Sequence, residues 1–235
     1  MAKKEIITPI GVFKYAHLNK PDTKFNADGE YKVTLILDKD EDSTKALIKK
    51  LDALHKEAFE AGVEQFEEAN GKAKAAWKKK GITEPVLNDY YDDEVDDEGN
   101  PTGNIELKFK TKAQFKDRKT GEMKKKTVPL IDGKGQTIPT KKRPLVYGGT
   151  EGRIAFATNA AFIPKGADVY LGLYINSVQI TKLVSGGGGA NPFGAVEGSG
   201  FSSDELEEYE GGASDDDLED DVDDDEGDLD DEIPF

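Results

Sequence analysis

Along the first forty positions apolar residues recur every second place. From Ile6 to Tyr15, and again in EYKVTLIL (Glu30 to Leu37), this alternation predicts strands, with Tyr31, Val33, Leu35 and Leu37 on one face. The intervening NKPDTKFNADG is rich in turn formers, so the two runs are expected to pair as a hairpin with a long loop. After Leu37 the period lengthens. Leu47, Leu51, Leu54, Ala58, Ala61 and Phe66 recur at helical spacing, with Asp42 or Ser43 as N-cap and Asn70-Gly71 as the stop. Gly62 weakens the last turns of this helix. A second, basic helical stretch, KAKAAWKKKG, stops at Gly81.

Strand character then returns. In NIELKFKTKAQF (Asn104 to Phe115), Ile105, Leu107 and Phe109 fall on one face and Lys108, Lys110 and Lys112 on the other. KTVPLID, PLVYGG, GRIAFATNAAFIP and ADVYLGLYINSVQITKLV supply four further candidate strands, and in the last Val169, Leu171, Leu173 and Ile175 oppose Tyr170 and Tyr174. A mainly β fold follows: a small, closed or partly open barrel with a helical insertion, because closure removes exposed strand edges. Residues 1–185 form this domain, residues 186–200 a Gly-rich linker, and residues 201–235 an acidic tail expected to be disordered, since neither segment can repay its ordering entropy.

Charge divides the chain along the same lines. Residues 1–185 carry all 32 Lys and Arg against 28 Asp and Glu, whereas residues 186–235 carry 20 acidic groups and no basic one. The formal charge of -16 therefore belongs to the tail. Within the domain, residues 105–182 hold 16 basic and 6 acidic side chains, a local excess that points to a polyanionic partner.

Catalytic chemistry finds little to work with. Neither His17 nor His55 lies in a nucleophile or metal motif, there is no cysteine, and no phosphate-cradling glycine motif occurs. The acidic DYYDDEVDDEGN (Asp89 to Asn100) lacks the ligand spacing of a calcium loop and reads as a solvated loop. A non-catalytic protein without metal or cofactor is expected. The N-terminal MAKKEIITPIG has no apolar core of about 7 to 15 residues, so the chain reads as soluble, unexported and cytoplasmic.

Positive charge interleaved with aromatics suits single-stranded nucleic acid, because cations track phosphates while rings stack bases without reading sequence. Lys108, Lys110, Lys112, Lys116, Arg118, Lys119, Lys124, Lys125 and Lys126 lie along one strand and a following hairpin with Gly121 at its apex. Lys141, Lys142, Arg143 and Arg153 add to them, and Tyr31, Phe115, Tyr147, Phe162 and Tyr174 are the candidate stacking rings. The rival reading is an acidic-tailed adaptor for basic proteins, with the barrel as scaffold. The tail itself has a reach of about 40 Å as a random coil, enough to meet its own basic groove at roughly millimolar effective concentration and compete with DNA. Charge competition does not explain the apolar Ile233, Pro234 and Phe235 beside Asp230, Asp231 and Glu232, which read as a short protein-docking motif.

From YAHLNKP and GEYKVTLIL, through LDALHKEAFEAGVEQFE, to LKFKTKAQFKDRKTGEMKKK, YGG and the acidic tail ending in Phe, the chain resembles the single-stranded-DNA-binding proteins of tailed phages. The resemblance implies an OB-fold, a five-stranded barrel with a long inserted helix. It also implies action in replication, recombination and repair in the host bacterial cytoplasm, and a tail that recruits partners; a homodimer is compatible with it. It assigns Lys110 and Lys3 to DNA contact and places Phe162 near a stacking aromatic. The tip DDEIPF is similar to the DDDIPF terminus of bacterial single-stranded-DNA-binding proteins, which implies docking on replication and repair proteins of phage or host.

Overall fold

In the computed structural model, which describes residues 5–24, 26–117 and 120–184, five long strands close into an irregular ring. In chain order the elements are β1 (Ile6–Ile7), β2 (Gly11–Asp22), β3 (Glu30–Asp38), α1 (Asp42–Glu67), α2 (Gly71–Lys80), β4 (Val86–Leu87), β5 (Tyr91–Val95) and β6 (Pro101–Lys112). They continue with β7 (Gln114–Lys116), β8 (Met123–Lys125), β9 (Leu130–Ile131), β10 (Glu151–Ile163) and β11 (Asp168–Lys182). The ring runs β2, β3, β6, β11, β10 and back to β2. Two of its sides are long antiparallel ladders, from Glu30 opposite Lys112 to Asp38 opposite Asn104, and from Glu151 opposite Lys182 to Ile163 opposite Asp168. The closing seams are thin. Strand β6 meets β11 in parallel at Tyr174 opposite Lys110, and β10 meets β2 at Glu151 opposite Val12 and Gly152 opposite Gly11.

The alternation read in the sequence is what fills this ring. Tyr31, Val33, Leu35 and Leu37 of β3, Ile105, Leu107 and Phe109 of β6, and Val169, Leu171, Leu173 and Ile175 of β11 are all buried in one core. Phe109 and Phe156 meet edge to face across it, 5.0 Å apart. Helix α1 lies against β10 and β11. Gly62 does not fray it: the helix runs through to Glu67, and a Cβ at Gly62 would stand 2.3 Å from Val169 Cγ2. Glycine is there for close approach of helix to strand.

Several local expectations are corrected. The N-cap of α1 is Glu41, without a side-chain cap bond, and Asp42 instead places its negative charge in the first turn, where the helix dipole favours it. Asn70 ends no helix; it opens α2, accepting from the Ala73 N–H at 2.9 Å, and α2 stops at Gly81 in the left-handed region as expected. PLVYGG is not a strand: Pro144 has no N–H for a ladder, and the segment is tied to β2 by Asn19 Nδ2 donating to the Pro144 carbonyl at 2.8 Å and Gly149 N–H to that of Phe13. KTVPLID contributes only the two residues of β9. The acidic DYYDDEV, expected as a loop, forms β5 against β6, because β6 and β2 supply the lysines that neutralise it.

Candidate nucleic-acid interface

The outer faces of β2, β3, β6, β11 and β10 share one transverse row. His17 stands opposite Lys32, Lys32 opposite Lys110, Lys110 opposite Tyr174 and Tyr174 opposite Ala157. At about 4.8 Å per strand the row spans roughly 19 Å, perpendicular to the strands. Lys110, at its centre, is exposed and has no carboxylate partner among the described residues. Its neighbours are partnered: Lys32 with Asp22, and Lys108 with Asp92 at 2.6 Å, a hydrogen bond that raises the Lys108 pKa. The exposed Lys108–Asp92 pair is worth about 0–1 kcal/mol, so a phosphate can displace Asp92 at little cost, whereas Asp22 is largely buried and holds Lys32 more firmly; both carboxylates remain nearby and dilute the attraction. Of Lys32, Lys108 and Lys110, only Lys110 has no such partner to give up among the described residues.

Two troughs flank the Lys108 and Lys110 ridge. One, of about 450 Å³, follows the β6–β11 seam and is walled by Tyr91, Tyr170 and Tyr174. The Tyr174 ring lies against Gly172, where an added Cβ would stand 2.7 Å from that ring. The other, of about 410 Å³, lies over β2, β3 and β6 and is lined by Tyr15, Lys32, Thr34, Lys108 and Lys110.

A charged clamp holds the ground between β2, β5 and β6. Lys14 Nζ donates to Glu94 Oε1 at 2.6 Å and to Glu106 Oε1 at 2.9 Å, and Glu94 also accepts from Asn104 and Thr102, each at 2.8 Å. The Lys14 hydrogen bond, followed by that from Asn104, lowers Glu94 from the usual 4.5 to about 2. A carboxyl held lower in the fold than in the unfolded chain stabilises fully above pH 4.5 and loses that contribution as pH falls toward 2. Glu94→Gln is therefore expected to cost about 2 kcal/mol at pH 7. The same change should flatten the acid limb of a urea-denaturation series between pH 4.5 and 2; an unchanged acid limb would remove the clamp.

The remaining sequence candidates are scattered. Lys112 continues the exposed face of β6, and β7 and β8 extend it as an exposed hairpin with Gly121 near its tip, carrying Lys116, Lys124, Lys125 and a half-exposed Phe115 opposite Lys124. Lys126 is partly buried and donates to Thr111 Oγ1 at 2.9 Å. Lys141 and Lys142 are exposed on a single 3-10 turn, with partly buried Arg143 and Tyr147 following in the segment tied to β2. Arg153 is exposed but sits four residues along β10 from Ala157, bonded to Gln179 at 2.7 Å, outside the row. Two rings do not line the row: one is buried and one is partly buried. Tyr31 is 5 % exposed, on the core face that its own alternation specifies. Phe162 pairs with inward Val169 and packs edge-on against Trp77, 6.1 Å away, rather than beside Tyr174. Lys3, Arg118, Lys119 and the tip residues Asp230, Asp231, Glu232, Ile233, Pro234 and Phe235 lie outside the described residues.

Sequence reasoning missed Tyr15, Lys32 and Tyr91 as groove residues. Strict alternation puts Tyr15 with Phe13 in the core; a bulge turns it out, and no local signal marks that bulge. Among the described residues no cluster of three or more His, Asp or Glu is placed to hold a metal ion. His55 is a packed residue, its ring bonded to the Asn88 carbonyl at 2.8 Å and edge-on to Tyr90.

Residues 11–183 match the family model described as single-stranded DNA-binding protein, bacteriophage T7. The single-stranded DNA-binding protein of Enterobacteria phage T3 is 29 % identical over 199 residues, covering 81 % of this chain and 82 % of the relative. That of Escherichia phage T7 is 28 % identical over 211 residues, 86 % of each. The crystal structure of gp2.5, a single-stranded DNA binding protein encoded by bacteriophage T7, superposes with a TM-score of 0.63 at 25 % identity, covering 79 % of this chain and 96 % of that one. With the family model spanning the whole ring of strands, the chain belongs to the bacteriophage T7 single-stranded DNA-binding protein family.

Proposed function

We propose that this chain is a non-catalytic single-stranded DNA-binding protein whose strand-crossing row, centred on Lys110 between Lys32 and Tyr174, carries the nucleic acid. The observation that supports it most is that row: an unpartnered lysine between two aromatic-walled troughs, on the outer face of a family-matched ring. Cations at strand spacing suit phosphates, and flat tyrosines suit bases of any sequence. An adaptor would need neither. In the finer reading the protein coats single strands during phage replication, recombination and repair in the bacterial cytoplasm. The acidic residues of 201–235 compete for the groove, and Asp230–Phe235 address replication or repair proteins by an apolar anchor in an acidic setting.

Anisotropy of a labelled oligo-dT tests this. Trp77 is the wrong reporter, being 2 % exposed, stacked 4.3 Å from Phe66 and bonded to the Pro164 carbonyl; it reports folding instead. About four to six phosphate contacts give a log–log salt slope of roughly -3 to -4. A flat response rejects the groove. Truncation after Gly200 should tighten binding, most at low salt; unchanged or weaker binding rejects competition by the tail.

A further inference from the structure

Tyr15 has two properties that are hard to reconcile with a structural role. It is 73 % exposed, so the fold gains little from its ring. Its φ is +50°, in the left-handed region where a bulky L-residue is strained and glycine is not. The strain arises because Tyr15 and Ala16 together oppose Val33: the ladder pairs Lys14 with Thr34 and then His17 with Lys32. The bulge is pinned on both sides, by the Lys14 clamp to Glu94 and Glu106 and by resumption of pairing at His17. What it achieves is to turn a ring that alternation would bury out into the trough shared with Lys32, Lys108 and Lys110. Folding alone would favour glycine or asparagine here, so the ring is kept for what it touches outside.

We propose that Tyr15 is the stacking platform of a base-binding subsite on the β2–β3–β6 face, separate from the trough at the β6–β11 seam. This rests on the single-stranded DNA reading and deepens it. A strand crossing the Lys108 and Lys110 ridge leaves a base on each side, one against Tyr15 and one against Tyr174, with its phosphate over Lys110.

The test separates stability from binding. Tyr15→Gly and Tyr15→Asn both accept the left-handed backbone and lack the ring, so each should unfold at or above the wild-type temperature yet bind oligo-dT about 5- to 100-fold more weakly, the cost of one lost stack. Tyr15→Phe should bind within about twofold of wild type, since the ring face is what stacks. Iododeoxyuridine-substituted oligonucleotides should photocrosslink to Tyr15 in the full chain. Wild-type affinity in both ringless variants would overturn the subsite while leaving DNA binding intact; failure of wild type to bind at all would overturn the parent reading. A loss of stability in Tyr15→Asn, which unlike glycine does not add backbone freedom to the unfolded chain, would show that the ring serves the fold and would overturn the proposal.

Discussion

Lys110→Glu is expected to weaken binding of oligo-dT, oligo-dC and mixed-sequence strands alike, by about 2–3 kcal/mol, or roughly 30- to 150-fold, at low salt. The reasoning is electrostatic. Among the described residues Lys110, mid-row, is paired with no carboxylate, so it can meet a phosphate without first losing a partner, and reversal replaces attraction by repulsion. Loss of one phosphate contact should also lower the salt slope by about 0.7. Lys108→Glu should cost less, because Asp92 already offsets Lys108. A charge control is Lys134→Glu: Lys134 is exposed in the turn after β9, which pairs with Gln179, five residues along β11 from Tyr174. That separation, about 17 Å along the strand, exceeds the Debye length of about 8 Å at 0.15 M salt, so little effect is expected. The side chain of Lys110 points outward, so melting and Trp77 emission should not move. Equal losses for Lys110→Glu and Lys134→Glu would reduce the row to bulk charge.

How much of this was legible depended on whether the deciding contact is local. Period-two alternation within β6 and β11 is enough to turn Lys108, Lys110, Lys112, Tyr170 and Tyr174 outward, because successive side chains in a strand alternate whatever the neighbouring strands do. The same rule buries Tyr31, which composition alone had offered as a stacking ring. Distant partners are a different matter. That Lys32, Lys110 and Tyr174 share a row follows from strand order and register across residues far apart in sequence. Phe162 is drawn inward by Trp77 on α2, and β5 is a strand only because Lys14 and Lys108 lie ready to meet Glu94 and Asp92. Tyr15 is the sharpest case, since a single inserted residue reverses the face that alternation predicts.

Replacing Gly152 by Val should damage the fold severely, at about 3 kcal/mol or more. Gly152 of β10 faces Gly11 of β2 at the seam that closes the ring. A Cβ on Gly152 would lie 2.3 Å from the Gln179 carbonyl oxygen and 2.7 Å from Phe13 Cζ, and one on Gly11 would lie 2.3 Å from the Ile36 carbonyl oxygen. Backbone oxygens of paired strands cannot rotate away as a side chain can, and Phe13 is fully buried, so the strands themselves must part. The seam has little to resist with beyond its two register pairs, the Phe13 N–H bond to the Thr150 carbonyl at 2.8 Å and the Gly149 N–H bond to that of Phe13 at 2.9 Å. Thermal unfolding followed by circular dichroism should show a midpoint lowered by roughly 6–12 °C for a domain of this size. Gly71→Ala, at the first position of α2 with nothing within 4 Å, should be neutral or slightly stabilising. Where the damage stays local and the protein remains folded, loss should fall first on β2, which carries Lys14 and Tyr15, and DNA affinity would drop with it. A Gly152→Val protein as stable as wild type would mean that β2 and β10 do not close the ring in solution.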